Sequence, residues 1–95
     1  MVIFVHSLIP GADTADQGIE LFPYIRDALK AEHEVTISFK GIQTATSSFV
    51  KTAFVVLLKD MPFADLKSRV RIIDSTRQIN QMIKARLERE ALVDA

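Results

Sequence analysis

Glu34-Val35-Thr36-Ile37-Ser38-Phe39-Lys40-Gly41-Ile42-Gln43-Thr44-Ala45-Thr46-Ser47-Ser48-Phe49 is the stretch on which the fold of this chain turns. Its first part alternates, with Val35, Ile37 and Phe39 on one side and Thr36 and Ser38 on the other. That period of two is a strand. Lys40-Gly41 begins the turn that leaves it. The segment beyond the turn is harder to read. Phe54-Val55-Val56-Leu57-Leu58 taken alone has the form of a buried strand. Taken from Thr46, the segment runs about fourteen residues without Gly or Pro and opens on hydroxyl residues suited to a helix N-cap. Length decides for a helix over 47–59. A central strand at 54–58 would overturn the whole reading. The apolar residues of this helix cover more than one face, so it is either deeply buried or carries a sticky outer surface. A homodimer or partner contact is expected on it, around Phe49 or Val56.

On the amino-terminal side, residues 2–9 are almost continuously apolar and read as a strand buried on both faces, ended by Pro10-Gly11. Thr14-Ala15-Asp16-Gln17 has the form of a capping box. Ile19, Phe22, Ile25, Ala28 and Leu29 come next at helical spacing, with Pro23 in conflict. Either the helix kinks there, or residues 15–20 form a separate turn and the main helix spans 21–31; the second is preferred. On the carboxyl-terminal side, Asp60-Met61-Pro62 closes the middle segment. Residues 69–74 read as a short strand. Ser75-Thr76-Arg77-Gln78 repeats the capping-box pattern before a helix over 75–91, whose last residues are expected to fray. Strand and helix thus alternate three times. The expectation is one α/β domain over 1–95: a small, mainly parallel sheet with right-handed crossover helices. Phe4, Ile25, Leu29, Ile37, Phe39, Phe54, Ile72 and Ile83 are its expected core.

Composition excludes more than it names. The chain has 95 residues, 48% apolar and 25% charged, which is ordinary for one folded domain. Twelve basic residues balance twelve acidic ones. Nucleic-acid binders usually show a basic excess, so no nucleic-acid partner is expected. Basic residues gather in the second half, with Lys67, Arg69, Arg71 and Arg77 among them, and read chiefly as solvated charge. The absence of cysteine removes disulfides and thiolate chemistry and fits a cytoplasmic protein. No apolar run approaches the ~20 residues that span a bilayer, so no membrane is expected. His6 and His33 lack a second His at ligand spacing. The only glycines, Gly11, Gly18 and Gly41, build no phosphate loop. No catalytic, metal or cofactor site is expected, and the chain reads as a non-enzyme.

Thr44-Ala45-Thr46-Ser47-Ser48-Phe49 stands apart. In a parallel α/β sheet it falls beyond the carboxyl ends of the strands, where ligands and partners usually bind. The plainer account is that Thr46 or Ser47 only caps the helix. Here Val35-Thr36-Ile37-Ser38-Phe39-Lys40-Gly41-Ile42 followed by Thr46-Ser47-Ser48-Phe49 resembles a STAS-like domain, related to the STAS domains of bacterial anti-sigma factor antagonists. Those antagonists carry Asp-Ser-Ser/Thr-Gly at this point, and a partner kinase that is also the anti-sigma factor phosphorylates the first Ser. Ser47 matches that Ser and Ser48 the next position. Thr46 replaces the Asp and Phe49 the Gly, as in the STAS-like branch often associated with ATPase-kinase domains.

The resemblance implies a regulatory interaction domain. Thr46, Ser47, Ser48 and Phe49 would meet a GHKL-type ATPase/kinase or an anti-sigma-like protein, with Ser47 as candidate phosphoacceptor. The alternative from a different class is a small-ligand or nucleotide-binding domain, or a minor enzyme, using the same helix start. A cavity with converging polar groups would favour the alternative; a flat surface at Ser47 would favour interaction.

Overall fold

A computed structural model describes residues 1–94. The elements run β1 Val2–Phe4, α1 Val5–Leu8, α2 Ala15–Ala31, β2 Val35–Ser38, α3 Ser47–Ala53, a 3₁₀ segment Val55–Lys59, α4 Phe63–Arg69, β3 Val70–Ile73 and α5 Arg77–Asp94. The three strands form one sheet in the order β1-β2-β3, all parallel. The α/β class and the parallel sheet are therefore as the sequence predicts, and 54–58 is not a strand. The expected fraying of the last residues reaches Ala95, which lies outside the described residues; α5 continues to Asp94.

Register explains the core. Ile3, Ile37 and Ile72 align across the sheet, with Val35 beside Val70 one step earlier in the pleat. These side chains point toward the helices. Phe39, just past β2, meets Phe49 of α3 and Phe54 behind it, with all three ring centroids 6.4–6.5 Å apart. Each of the three rings is at most 1% exposed, so this trio is the middle of the core. α2 packs chiefly on α3. Gly18 makes that approach close: a Cβ there would run into the Thr52 hydroxyl and the Phe49 carbonyl. Thr52 in turn donates to the Ala15 carbonyl at 2.8 Å, tying the two helices together.

Several sequence expectations need correction, each for a local reason. The strand expected over 2–9 ends at Phe4. Val5 and Ile9 are buried while His6, Ser7 and Leu8 are exposed, a spacing of four that belongs to the helical turn α1. β1 is also covered on one face only, that of Ile3, while Val2 and Phe4 lie on the open face. Phe4, expected in the core, is 51% exposed. Ile72 is half-buried; the other six expected core residues are buried.

The preferred separate turn at 15–20 does not exist, because α2 runs unbroken from Ala15 through Pro23. A proline removes one hydrogen bond and crowds the carbonyl four residues back, here that of Ile19. Ile19 is 57% exposed, so the orphaned carbonyl lies on the wet side of the helix. The capping box at the start is complete: Gln17 N–H donates to Thr14 Oγ1 at 3.1 Å, and Thr14 N–H donates to Gln17 Oε1 at 3.1 Å. Leu21, Ile25, Ala28 and Leu29 bury one stripe, which offsets the proline.

The helix expected over 47–59 is interrupted. α3 ends at Ala53, and Phe54 adopts φ −119° before the 3₁₀ segment begins. A 3₁₀ turn has three residues per turn and eclipses i with i+3. Phe54 and Leu57 therefore both reach the core, at 1% exposure each, which a straight α-helix would not align as well. This also answers the excess of apolar residues. Phe49, Val50, Ala53, Phe54 and Leu57 are all buried, leaving only Val55, Val56 and Leu58 half-covered. Of the two places named for a contact, Phe49 has no surface to use and Val56 stays half-covered.

α4 has no counterpart among the sequence expectations. It has a single buried anchor, Leu66, too little for a periodic signal. Arg69 is its last residue rather than a strand residue. Its guanidinium donates to the carbonyls of Leu29 at 2.5 Å, Glu32 at 3.1 Å and His33 at 2.8 Å. These are the orphan acceptors at the carboxyl end of α2. Arg69 is thus an internal tie between α4 and α2, not part of a free basic surface.

Candidate functional site

The carboxyl end of β1 runs straight into α1, whereas those of β2 and β3 lead into loops, and the loop after β2 is the one held from several sides. It leaves the sheet by a tight turn, with Ile42 N–H donating to the Phe39 carbonyl at 2.9 Å. Gly41 takes φ +86°, a conformation that a side chain would strain. Ser38, fully buried at the end of β2, donates to Asp74 Oδ2 at 2.8 Å and accepts from Lys40 N–H at 3.3 Å. Asp74 itself sits at φ 54° just past β3. This pair joins the exits of the two strands.

Further along, Ala45 and Gln78 exchange two hydrogen bonds. Ala45 N–H donates to Gln78 Oε1 at 2.8 Å, and Gln78 Nε2 donates to the Ala45 carbonyl at 2.9 Å. Thr76 donates to the Gln43 carbonyl at 2.8 Å. On the other side, Thr46 N–H donates to the Ala12 carbonyl at 3.0 Å and Thr46 Oγ1 to the Asp13 carbonyl at 2.9 Å. The loop is therefore clamped between the segment before α2 and the segment before α5. The Ser75–Gln78 box expected at the start of α5 does not form in that sense. Thr76 Oγ1 accepts from Ile79 N–H at 3.3 Å, and Gln78 is diverted to Ala45. No sequence signal announced that diversion, because a Gln three residues after a hydroxyl serves either purpose.

The four residues singled out at the start of α3 separate into distinct roles. Thr46 is the N-cap, its Oγ1 accepting from Phe49 N–H at 3.2 Å while donating to Asp13. The hydroxyl proton and one of its lone pairs are thus committed. Phe49 is 0% exposed in the aromatic trio and anchors the helix from beneath. Ser47, the first helical residue, is half-buried, and Ser48 is exposed. These two hydroxyls are the ones left facing solvent. The principal cavities lie elsewhere. A cleft of about 300 Å³ between α4, β3 and α5 is lined mainly by Phe54, Phe63, Leu66, Val70, Ile83 and Leu87. Among the described residues, no converging polar set surrounds Ser47.

Among the described residues, no cluster of His, Asp and Glu has metal-binding geometry. No described helix is long and apolar enough to cross a membrane. His6 and His33 are both exposed and far apart in the chain, at α1 and at the entrance to β2.

No curated protein and no solved structure matches the chain. The model of a family described as a STAS-like domain of unknown function (DUF4325) matches residues 17–80, from the first turn of α2 to the first turn of α5, and the chain belongs to that family.

Proposed function

We propose that this domain is a regulatory interaction module of the cytoplasm, acting by docking rather than by catalysis. Its contact surface is the start of α3, with Ser47 and Ser48 presented to a GHKL-type ATPase/kinase or an anti-sigma-like partner. One observation carries this reading. The hydroxyls of Ser47 and Ser48 stand at the start of α3, directly after a loop that is clamped on both sides, while their neighbours Thr46 and Phe49 are committed to the fold. A preformed, rigid, polar surface of this kind loses little entropy on binding. The cleft between α4, β3 and α5 lies away from Ser47, which speaks against the small-ligand and nucleotide alternative at the helix start.

Ser47 is the candidate phosphoacceptor. Phosphorylation adds about −1.5 to −2 charges. At the first position of a helix that charge is tolerated by the fold. Against a partner surface it must be desolvated, so it would release the partner. The test compares tagged wild type, S47A and S47D recovered from the native cell extract, with mass spectrometry of the Ser47 peptide and thermal melts of each protein. Wild type and S47A should recover the same ATPase or anti-sigma-like protein, and S47D should lose it while melting at the same temperature. Equal recovery with S47D would reject the switch.

A further inference from the structure

Among the described residues, the large apolar side chains most exposed to solvent are Met1, Val2, Phe4, Leu8, Ile19 and Tyr24. Five of them, all but Ile19, line one groove between β1 and α2, together with Ile3, Ala28 and Ala31. That groove runs along an unpaired strand edge. Thr36 N–H donates to the Met1 carbonyl, so Met1 and Ile3 turn their backbone toward β2. Alternate residues of a strand turn theirs the other way. The N–H groups of Val2 and Phe4 and the carbonyl of Val2 therefore face outward, with no neighbouring strand, since β1 ends the sheet order. Val2, Ile3 and Phe4 carry no charge, proline or bulge of the kind that guards exposed edges; the one such feature is the shortness of the strand, three residues. Unpaired backbone and uncovered apolar side chains coincide on the same two residues, Val2 and Phe4.

We propose that this edge pairs with the same edge of a second copy, β1 antiparallel to β1 across a two-fold axis, making one six-stranded sheet. With Val2 opposite Phe4 of the other copy, the Phe4 N–H of each chain donates to the Val2 carbonyl of its partner. Two equivalent bonds close the contact, as an isologous interface requires. The groove is filled reciprocally by the exposed side chains around β1. Two charged groups border it, and both are already paired: the Asp27 side chain, 66% exposed, with Arg26 at 3.2 Å, and the Met1 ammonium with Glu32 at 3.0 Å. Little charge has to leave water.

Area favours a second copy as the occupant. Met1, Val2, Phe4, Leu8 and Tyr24 keep 37–59% of their surface exposed. On side chains of roughly 150–250 Å² that is on the order of 400–500 Å² per copy. Two copies together approach the ~1,000 Å² that a specific interface needs, at its weak end. The dimer shares no residue with the start of α3, so its failure and that of the Ser47 docking surface are separately observable.

Sedimentation of the chain across a concentration series should show reversible dimerisation with a dissociation constant on the order of 10 µM. F4K should weaken it at least about tenfold with an unchanged melting temperature, because Phe4 contributes little to the core. The register is read by disulfides, as the chain has no cysteine of its own. V2C mixed with F4C should yield a mixed disulfide dimer under mild oxidation, well above either protein alone. A wild type that stays monomeric at about a hundred times that concentration would overturn the proposal and leave the edge to a strand from another protein. So would a dimer indifferent to F4K, or no mixed disulfide.

Discussion

The start of α3 and the edge of β1 are both exposed, and they are exposed in opposite ways. At α3 the chain is polar, and every approach to it is tied: Gln78 holds Ala45, Thr76 holds Gln43, and Thr46 holds Asp13. At β1 the chain is apolar and one side of its backbone is untied. The first surface can present hydroxyls without paying for order when a partner arrives. The second gains by being covered, and needs no residue of special chemistry. Exposure alone therefore does not identify a site; what lies directly behind the exposed residues does. Behind Ser47 stands Phe49 in the central aromatic trio, whereas Phe4 projects from the uncovered side of an edge strand.

The largest test of that contrast is a pair of truncations. Phe54→Ala opens the aromatic trio and should cost about 3–5 kcal/mol. Set against the roughly 5–15 kcal/mol typical of whole domains, that leaves a weakly folded or unfolded chain. Phe4→Ala should cost no more than about 0.5 kcal/mol in the monomer. Urea unfolding at low protein concentration checks both. Comparable losses would mean that β1 is packed far more tightly than its exposure indicates.

Arg69→Ala comes next. It strips three carbonyls at the end of α2 of a charged donor, and should cost about 1.5–3 kcal/mol. Arg69→Lys should recover only part of this, since a single ammonium cannot reproduce the guanidinium fork. Loss in the alanine variant equal to that of a surface arginine such as Arg71 would show that the tie is not made in solution.

The clamp is examined by Gln78→Ala. It should cost about 1 kcal/mol and speed amide exchange at Ala45 relative to the rest of the core. The smallest effects separate the two hydroxyls side by side on the chain. Thr46→Ala loses a cap and should destabilise by about 1 kcal/mol, while Ser47→Ala should change stability by less than about 0.5 kcal/mol. If Ser47→Ala were the more damaging of the two, Ser47 would be a structural residue and the docking surface would lose its main support.

Much of the architecture was written in local pattern. The alternation of Val35, Ile37 and Phe39, the Thr14–Gln17 box and the helical stripe of α2 each name their element, because each depends on neighbours within four residues. Residue types also narrowed the cap to Thr46 or Ser47, and the structure gives it to Thr46. Other features left no local trace. Val5 and Ile9 read as strand residues until the structure shows that β1 is covered on one face only. Pro23 is tolerated because Ile19, four residues earlier, happens to face water.

Periodicity and the capping chemistry of single residues were enough to specify the α/β class, the parallel sheet and the hydroxyl-rich start of α3. Packing in three dimensions set the break after Ala53, where Phe54 and Leu57 must both enter a core shaped by Phe39. It recruited Gln78 from a cap to a clamp and Arg69 from a basic surface to the end of α2, and it left β1 at the edge. The reason is the same in each case. A hydrogen-bond partner thirty or forty residues away, or a missing neighbour strand, changes the energy of a residue without changing anything adjacent to it in the chain.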